Sequence, residues 1–355
     1  MNTGIIRIKP AKSISNVKLG TTWKFVEIIM DTNQNQFEDF YNSHFKNKKQ
    51  FRRLLTSLEN NDEKISKNIW NYQYKTKDPL VIGITGPSGS GKSSLINELV
   101  KHLRDNGFKE RIALILVDPS SPISGGALLG DRIRMKDLFL DEDIFIRSLS
   151  TRGHLGGLTS SIMNILRAMM LWVGDSGFIF IETTGSGQTD VEISQIADSI
   201  ILNLNPESGD DIQAIKAGIL EIADLYVINK SDLANANVLY ENLLQLLEIN
   251  TQKKPDDWEP NIIKASVKTG ENIQKIIEIL FDHKQWLKDH NLFSNTKKKR
   301  ITLHLKLFFE EKILSRLQEI FNKPEIEKIV ENITNGNYNL EKGISEIKNI
   351  NKFLE

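Results

Sequence analysis

The stretch Gly86-Pro87-Ser88-Gly89-Ser90-Gly91-Lys92-Ser93 sets three glycines, a lysine and a hydroxyl at the spacing G-x-x-x-x-G-K-[ST]. That spacing suits one kind of chemistry, the wrapping of a polyphosphate by backbone N–H groups. Glycines let the chain turn tightly enough for those groups to converge. A helix opening at the loop's end adds the favourable end of its dipole. Lys92 is placed to reach the β- and γ-phosphates, and the Ser93 hydroxyl to ligate Mg²⁺. Ser94 completes the set of residues expected around the phosphates.

Three acids further on are candidates for the rest of a magnesium shell: Asp118 after IALILV, Asp131 in LLGDRIRM and Glu182 after GFIFI. Mg²⁺ is a hard cation that takes a few carboxylates together with waters and phosphate oxygens. In open α/β sheets ligands bind at the carboxyl ends of strands, where Asp118 and Glu182 stand. Glu182-Thr183-Thr184-Gly185 looks like the D-x-x-G element of GTPases with Glu for Asp; the Gly185 N–H would then meet a γ-phosphate. Gln188, three residues on, is a candidate for orienting an attacking water. Lys92, Glu182 and Gln188 make up the expected catalytic set.

A second constellation speaks to the base. Asn229-Lys230-Ser231-Asp232 follows the run LYVI and matches N-K-x-D. The Asp232 carboxylate can accept from guanine N1–H and its 2-amino group together. Adenine lacks that donor pair, and unpaired buried polar groups discriminate by roughly 10⁴-fold or more. The Lys230 stem can lie along the base, and Asn229 is expected to brace the phosphate loop. Ser266 and Val267, after the next apolar run, are candidates for a backbone N–H to guanine O6.

These residues need a scaffold, and the chain supplies a pattern for one. From Pro79 onward apolar runs alternate with helical periodicity: Leu80–Thr85, Ile112–Val117, Phe178–Glu182, Ile200–Leu204, Leu225–Asn229 and Ile262–Ala265. Nearly continuous apolar runs suit strands buried on both faces. Between them Ser93–Leu103 puts Leu95, Ile96, Leu99, Val100 and Leu103 on one helical face. The expected fold class is α/β, a P-loop NTPase fold: a mostly parallel sheet with helices on both faces, plus helical N- and C-terminal extensions. The expected divisions are residues 1–78, an N-terminal helical extension; 79–282, the nucleotide domain; and 283–355, a C-terminal helical extension. In the first, Phe37–Leu58 suggests one or two amphipathic helices, and Asn71–Asp78 a polar linker. In the last, Lys297–Phe321, Pro324–Asn335 and Leu340–Asn349 carry helical patterns. The basic run Lys297–Arg300 reads as a solvated face rather than a nucleic-acid patch.

Composition narrows the classes. The 355 residues contain 46 basic and 46 acidic side chains, so no global charge points to nucleic acid. With no cysteine, disulfides, thiolate zinc sites and iron–sulfur clusters are excluded. The opening MNTGIIRIKPAK has no apolar signal-peptide run, and no apolar stretch approaches a membrane span. Cytosol is the expected compartment, with neither nucleic acid nor membrane as a partner.

Further stretches carry a family resemblance: Val117-Asp-Pro-Ser-Ser121, Ser124-Gly-Gly126, Leu129-Gly-Asp-Arg132, Arg134-Met135, Arg152-Gly-His-Leu-Gly-Gly157 and Glu182-Thr-Thr-Gly-Ser-Gly-Gln188. Together they resemble the MeaB/ArgK family of GTPases, the methylmalonyl-CoA mutase-associated class, over about residues 79–350. The resemblance implies a slow Mg²⁺-dependent GTPase that assists an adenosylcobalamin-dependent acyl-CoA mutase. Such a protein gates cofactor loading and protects the mutase, and turns GTP over faster beside its partner. It further implies a homodimer to which the helical extension contributes. The family's phosphate and magnesium residues map onto Gly86–Ser94, Asp118, Asp131 and Glu182, and its base selector onto Asn229–Asp232. A segment that transmits nucleotide state maps onto 206–216. Thr184 and Ser186 stand where the family often has a valine pair, and the first 70 residues show no clear family pattern.

Two other readings compete. A metal-inserting GTPase for a nickel enzyme would need a soft site, for which only His44, His102, His154, His283, His290 and His304 are available. An ATP-dependent kinase linked to amino-acid transport is opposed by N-K-x-D. Arg132, Arg134 and Arg152 are the candidates for an arginine finger, worth about 10³–10⁵-fold where one operates.

Overall fold

The computed structural model describes residues 38–71, 79–118, 135–150, 159–183, 192–207, 217–250 and 257–350. The chain divides into two compact units, Met1–Tyr74 and Lys75–Glu355. In the first, residues 38–44 are helical, followed by α1 (Lys48–Glu59) and α2 (Glu63–Asn71). Asn47 caps α1 by accepting from Gln50 N at 2.9 Å, which satisfies one of the donors a helix start leaves over. Phe51, Leu54, Leu55 and Leu58 form its buried face, and the Phe45 and Phe51 rings pack 5.3 Å apart.

The second unit is built on seven parallel strands: β1 (Leu80–Thr85), β2 (Ile112–Asp118), β3 (Ile144–Ser150), β4 (Phe178–Glu182), β5 (Ser199–Leu204), β6 (Leu225–Ile228) and β7 (Asn261–Lys264). Their order across the sheet is β3-β2-β4-β1-β5-β6-β7. The chain therefore winds to one side of β1 for β2, β3 and β4 and to the other for β5, β6 and β7. The crevice this reversal opens lies at the carboxyl end of β1. Strands β1, β4 and β5 are buried along their whole length, as their nearly continuous apolar runs require. Edge strand β7 is buried only at Ile263. Strand β3 was not foreseen: Arg147, Ser148 and Ser150 interrupt its apolar pattern, and pairing along the whole of β2 is what holds it.

Helices α3 (Lys92–Asp105), α4 (Ser160–Val173), the short α5 (Ala217–Leu220) and α6 (Ala236–Asn250) lie in crossovers between strands, and α7 (Ile273–Asp289) follows the last strand. Leu95, Ile96, Leu99 and Val100 of α3 join Ile273, Ile276 and Leu280 of α7 in one core with β1, β2 and β4. Each such side chain contributes about 1.5–3 kcal/mol when fully removed from water. Residues 282 and 283 lie within α7.

The remaining helices are α8 (Phe293–Phe321), α9 (Pro324–Thr334) and α10 (Leu340–Ile350). Helix α8 is tied to the rest of this unit at two places. Arg300 is buried, its Nη2 2.6 Å from Asp198 Oδ2, and its Nε donates to Ile196 O at 2.6 Å. Asp198 Oδ2 also accepts Val81 N at 2.9 Å. The expectation of a solvated face at Lys297–Arg300 is therefore corrected at Arg300: its charge serves the underside of the sheet. Eleven residues along, Glu311 Oε1 accepts the Ser160 backbone N–H at 2.9 Å. A carboxylate from α8 thus sits at the start of α4, where the helix dipole favours it.

The amino edge of the sheet holds a second buried polar group. His283 Nδ1 and Ser199 Oγ are 2.7 Å apart, and His283 Nε2 lies 3.8 Å from Asp224 Oδ1. Burial pushes the His283 imidazole down to about 4 and the Asp224 carboxyl up to about 7. His283 is 3% exposed and meets Ser199 at the amino end of β5, the opposite edge of the sheet from the phosphate loop. None of the described helices is long and apolar enough to cross a membrane.

Candidate functional site

The phosphate loop runs from the end of β1 into α3. Gly86, Gly89 and Gly91 all have positive φ, at 138°, 80° and 89°, backbone that side chains other than glycine's adopt only with strain. Two of them are also confined. A Cβ on Gly86 would lie 2.1 Å from Asn203 O, and one on Gly91 2.6 Å from Asn229 Nδ2. Ser88 and Gly89 form the exposed lip of the loop, while Ser90 is buried. The N-terminus of α3, from Lys92 through Ser93 and Ser94, follows directly. Lys92 Nζ turns back onto the loop, donating to Gly86 O at 2.8 Å and Pro87 O at 3.0 Å. The ammonium is thus held at the loop's mouth by neutral carbonyls, partners that phosphate oxygens outbid electrostatically.

The structure brings Ser93 and Glu182 together across the sheet. Ser93 Oγ donates to Glu182 Oε1 at 2.7 Å, and both side chains are nearly buried. Strand register explains the meeting. Ile84 of β1 pairs with Glu182 of β4, so the carboxylate emerges beside the start of the loop. On the other side of β4, Leu116 pairs with Glu182, which places Asp118 at the same edge two residues further along β2. A hydroxyl and a carboxylate at one point are hard oxygen donors of the kind Mg²⁺ takes, so the residues present fit that ion. Among the described residues no three His, Cys, Asp or Glu side chains gather into a metal-holding group.

At the far side of the loop, the carboxyl ends of β6 and β7 build the base end. Ser266 Oγ donates to Asp232 Oδ1 at 2.8 Å. This bond, with Lys268 and Lys230 adding lesser electrostatic support, holds the Asp232 carboxyl below its ordinary range, so it is ionised at neutral pH. Asn229 lies between the phosphate loop and this end of the site. Its Nδ2 donates to Ser90 O at 3.1 Å, while its Oδ1 accepts Lys230 N at 2.8 Å and Val267 N at 3.5 Å. Lys230 stands at φ 59° with Nζ 3.1 Å from Glu207 Oε2, a half-exposed pair worth little by itself. The Ser266 backbone N–H donates to Glu271 O at 3.2 Å. Ser266 therefore meets the site through its hydroxyl, and the Val267 N–H, with its long bond, is the one left placed to turn to a ligand.

Four residues singled out in the sequence are not settled by this geometry. Asp131, Gly185 and Gln188 lie outside the described residues, and so does the side chain of Asp118. The same holds for Arg132, Arg134, Arg152, His154 and most of the 206–216 segment. Two contributors were not foreseen. Asn203 of β5 donates from Nδ2 to Ser90 O at 2.9 Å. Thr183 donates to Thr85 Oγ1 at 3.2 Å, joining β4 to β1 beside the loop. The one signal for Asn203 is a buried amide between Leu202 and Leu204 in an otherwise apolar run.

Residues 52–322 match the family described as methylmalonyl Co-A mutase-associated GTPase MeaB. A protein of Pyrococcus abyssi that carries a GTPase name is 35% identical over 283 residues, spanning 79% of this chain and 86% of that protein. GTPase ArgK of Escherichia coli is 35% identical over 246 residues, 67% of this chain and 71% of its own. The crystal structure of a LAO/AO transport system kinase aligns with a TM-score of 0.61 and 20% identity, covering 90% of this chain and 97% of that one. That last likeness bears on the fold alone. The family match begins inside α1, earlier than the resemblance read from the motifs.

Proposed function

This chain belongs to the methylmalonyl-CoA mutase-associated GTPase family, and from that premise we propose that its GTP hydrolysis serves an adenosylcobalamin-dependent acyl-CoA mutase, methylmalonyl-CoA mutase foremost. In this reading the GTPase gates cofactor loading into the mutase and protects it from inactivation. The family match over residues 52–322 is the observation that carries the mutase assignment.

The chemistry follows from the site. The loop's N–H groups and the α3 N-terminus bind the phosphates, and Asp232, oriented by Ser266, accepts from the guanine edge. Lys92 exchanges the carbonyls of Gly86 and Pro87 for β- and γ-phosphate oxygens, so its charge is in place where negative charge builds during transfer. Ser93 and Glu182, with Asp118 and Asp131, would hold Mg²⁺, which supplies further charge neutralisation when bound. Gln188 orients the attacking water, and the Gly185 N–H responds to the γ-phosphate. Hydrolysis of this kind rests on positioning, so turnover stays slow until the partner orders the missing groups.

The reading includes a homodimer. Ile301, Leu305, Phe309 and Ile313 recur every fourth residue along α8 and are 46–59% exposed, an apolar stripe of the kind that marks an interface. Sedimentation of the isolated protein as a monomer at micromolar concentration would remove the dimer from the proposal. A cytosolic setting suits it.

The test is affinity purification on the protein loaded with a non-hydrolysable GTP analogue. Co-elution of a cobalamin mutase supports the proposal, and its repeated absence from cells that express one overturns it. Isolated protein that turned GTP over at tens per second would contradict partner-dependent ordering. Displacement of labelled GTP by equimolar ATP would favour the kinase reading instead.

A further inference from the structure

The carbonyl of Ser90 accepts two side-chain hydrogen bonds, one from β5 and one from the residue that follows β6. One comes from Asn229 Nδ2 at 3.1 Å, a residue of the N-K-x-D element. The other comes from Asn203 Nδ2 at 2.9 Å, an amide that also lies 3.2 Å from Ser90 Oγ. Asn203 belongs to no motif. It stands on β5, 0% exposed, where the neighbouring positions of the strand are Leu202 and Leu204.

A carbonyl oxygen only accepts, so the amide must turn its NH₂ toward Ser90. Its Oδ1 is then left buried with no hydrogen-bond partner among the described residues. Such an arrangement weakens a core, because a desolvated acceptor without a partner costs more than an apolar group of the same volume. The amide is therefore better explained by what it holds than by what it adds to the fold. Its backbone contributes as well, since Asn203 O closes the space over Gly86. A single residue of β5 thus meets the loop near both its ends.

Peptide geometry says what this achieves. In a planar trans peptide the C=O of one residue and the N–H of the next point in opposite directions. Drawing the Ser90 carbonyl outward onto two asparagines aims the Gly91 N–H into the loop, where a phosphate oxygen sits in a G-x-x-x-x-G-K-[ST] loop. We propose that Asn203 is a positioning residue for polyphosphate binding: it pins the Ser90–Gly91 peptide so that its N–H faces the β-phosphate before the nucleotide arrives. This rests on the guanine-nucleotide reading of the site and specifies how its phosphate end is held ready.

The test compares wild type with Asn203→Leu and Asn203→Asp. Affinities for GDP and for GMP, which lacks the β-phosphate, come from displacement of a fluorescent GDP analogue. Thermal melting of nucleotide-free protein reports the fold. For Asn203→Leu the melting midpoint holds or rises, GDP affinity falls about five- to tenfold, and GMP affinity changes less than about twofold. Asn203→Asp sets an acceptor against the Ser90 carbonyl and lowers GDP affinity further. GDP affinity within twofold of wild type in Asn203→Leu overturns the proposal. So does an equal loss for GDP and GMP, or a leucine variant that does not fold, since the amide would then be serving the core. Failure of the underlying reading looks different: wild type itself would bind neither GDP nor GTP.

Discussion

Asp232→Asn separates recognition of the base from everything else in the site. Ser266 Oγ donates to Asp232 Oδ1 at 2.8 Å, while Thr269 N approaches the same hydroxyl at 3.4 Å, which leaves the Ser266 proton for residue 232. An asparagine keeps an acceptor for that proton, so the side chain stays in place and the fold is undisturbed. The second carboxylate oxygen becomes an NH₂ group. Guanine offers two donors here, and after the change one meets a neutral acceptor in place of a charged one and the other meets a donor. Hydrogen bonds to a charged group are stronger than those to a neutral one, so GDP and GTP binding weaken by about 10²–10³-fold. Xanthine carries a carbonyl where guanine has its 2-amino group, so XDP gains what GDP loses. Titration of wild type and variant with fluorescent GDP and XDP analogues, alongside a melting curve, reads both changes. GDP affinity within threefold of wild type, or no gain for XDP in a folded variant, would refute the assignment of Asp232 to the base.

Other outcomes follow from the same geometry. Gly86→Ala places a methyl group 2.1 Å from Asn203 O at φ 138°; we expect GTP turnover to fall at least about tenfold, and a variant with wild-type kinetics would show that the loop is not confined as described. Glu182→Gln keeps an acceptor for Ser93 but removes the charge, so the gain in GTP affinity on adding Mg²⁺ shrinks by about tenfold while Mg²⁺-free binding holds or rises; calorimetry with and without EDTA decides, and an unchanged Mg²⁺ increment counts against the site. His283→Gln tests the buried imidazole. The folded state holds its pKa down at about 4, so the unfolded chain binds the extra proton between about pH 6.5 and 4, and the stability His283 contributes is present above pH 6.5 and lost as pH falls toward 4. Asp224, raised from 3.8 to about 7, acts with the opposite sign across the whole of that window, so the informative quantity is the difference between wild type and variant. That difference in unfolding free energy grows by about 3 kcal/mol from pH 4 to 6.5 in urea melts, and a difference flat with pH would place the imidazole in water.

The part of this protein legible in its sequence is the part made by neighbours along the chain. A phosphate loop is eight consecutive residues, and its glycines announce the backbone angles later found at Gly86, Gly89 and Gly91. The strands β1, β4, β5 and β6 could be read because burial on both faces demands a nearly continuous apolar run, and N-K-x-D could be picked out because it is four consecutive residues. Strand β3 escaped because Arg147 and Ser148 break that pattern, while its place is secured by partners on β2. Tertiary structure alone decided which polar side chains face one another across long stretches of chain. Asn203 reaches Ser90 over 113 residues and Ser93 reaches Glu182 over 89. Arg300, one basic residue among several at the start of α8, became a buried partner of Asp198 rather than a solvated charge. The physical reason is common to all three: the worth of a polar group depends on whether packing removes it from water and supplies a partner, and neither condition is written in the residues on either side of it.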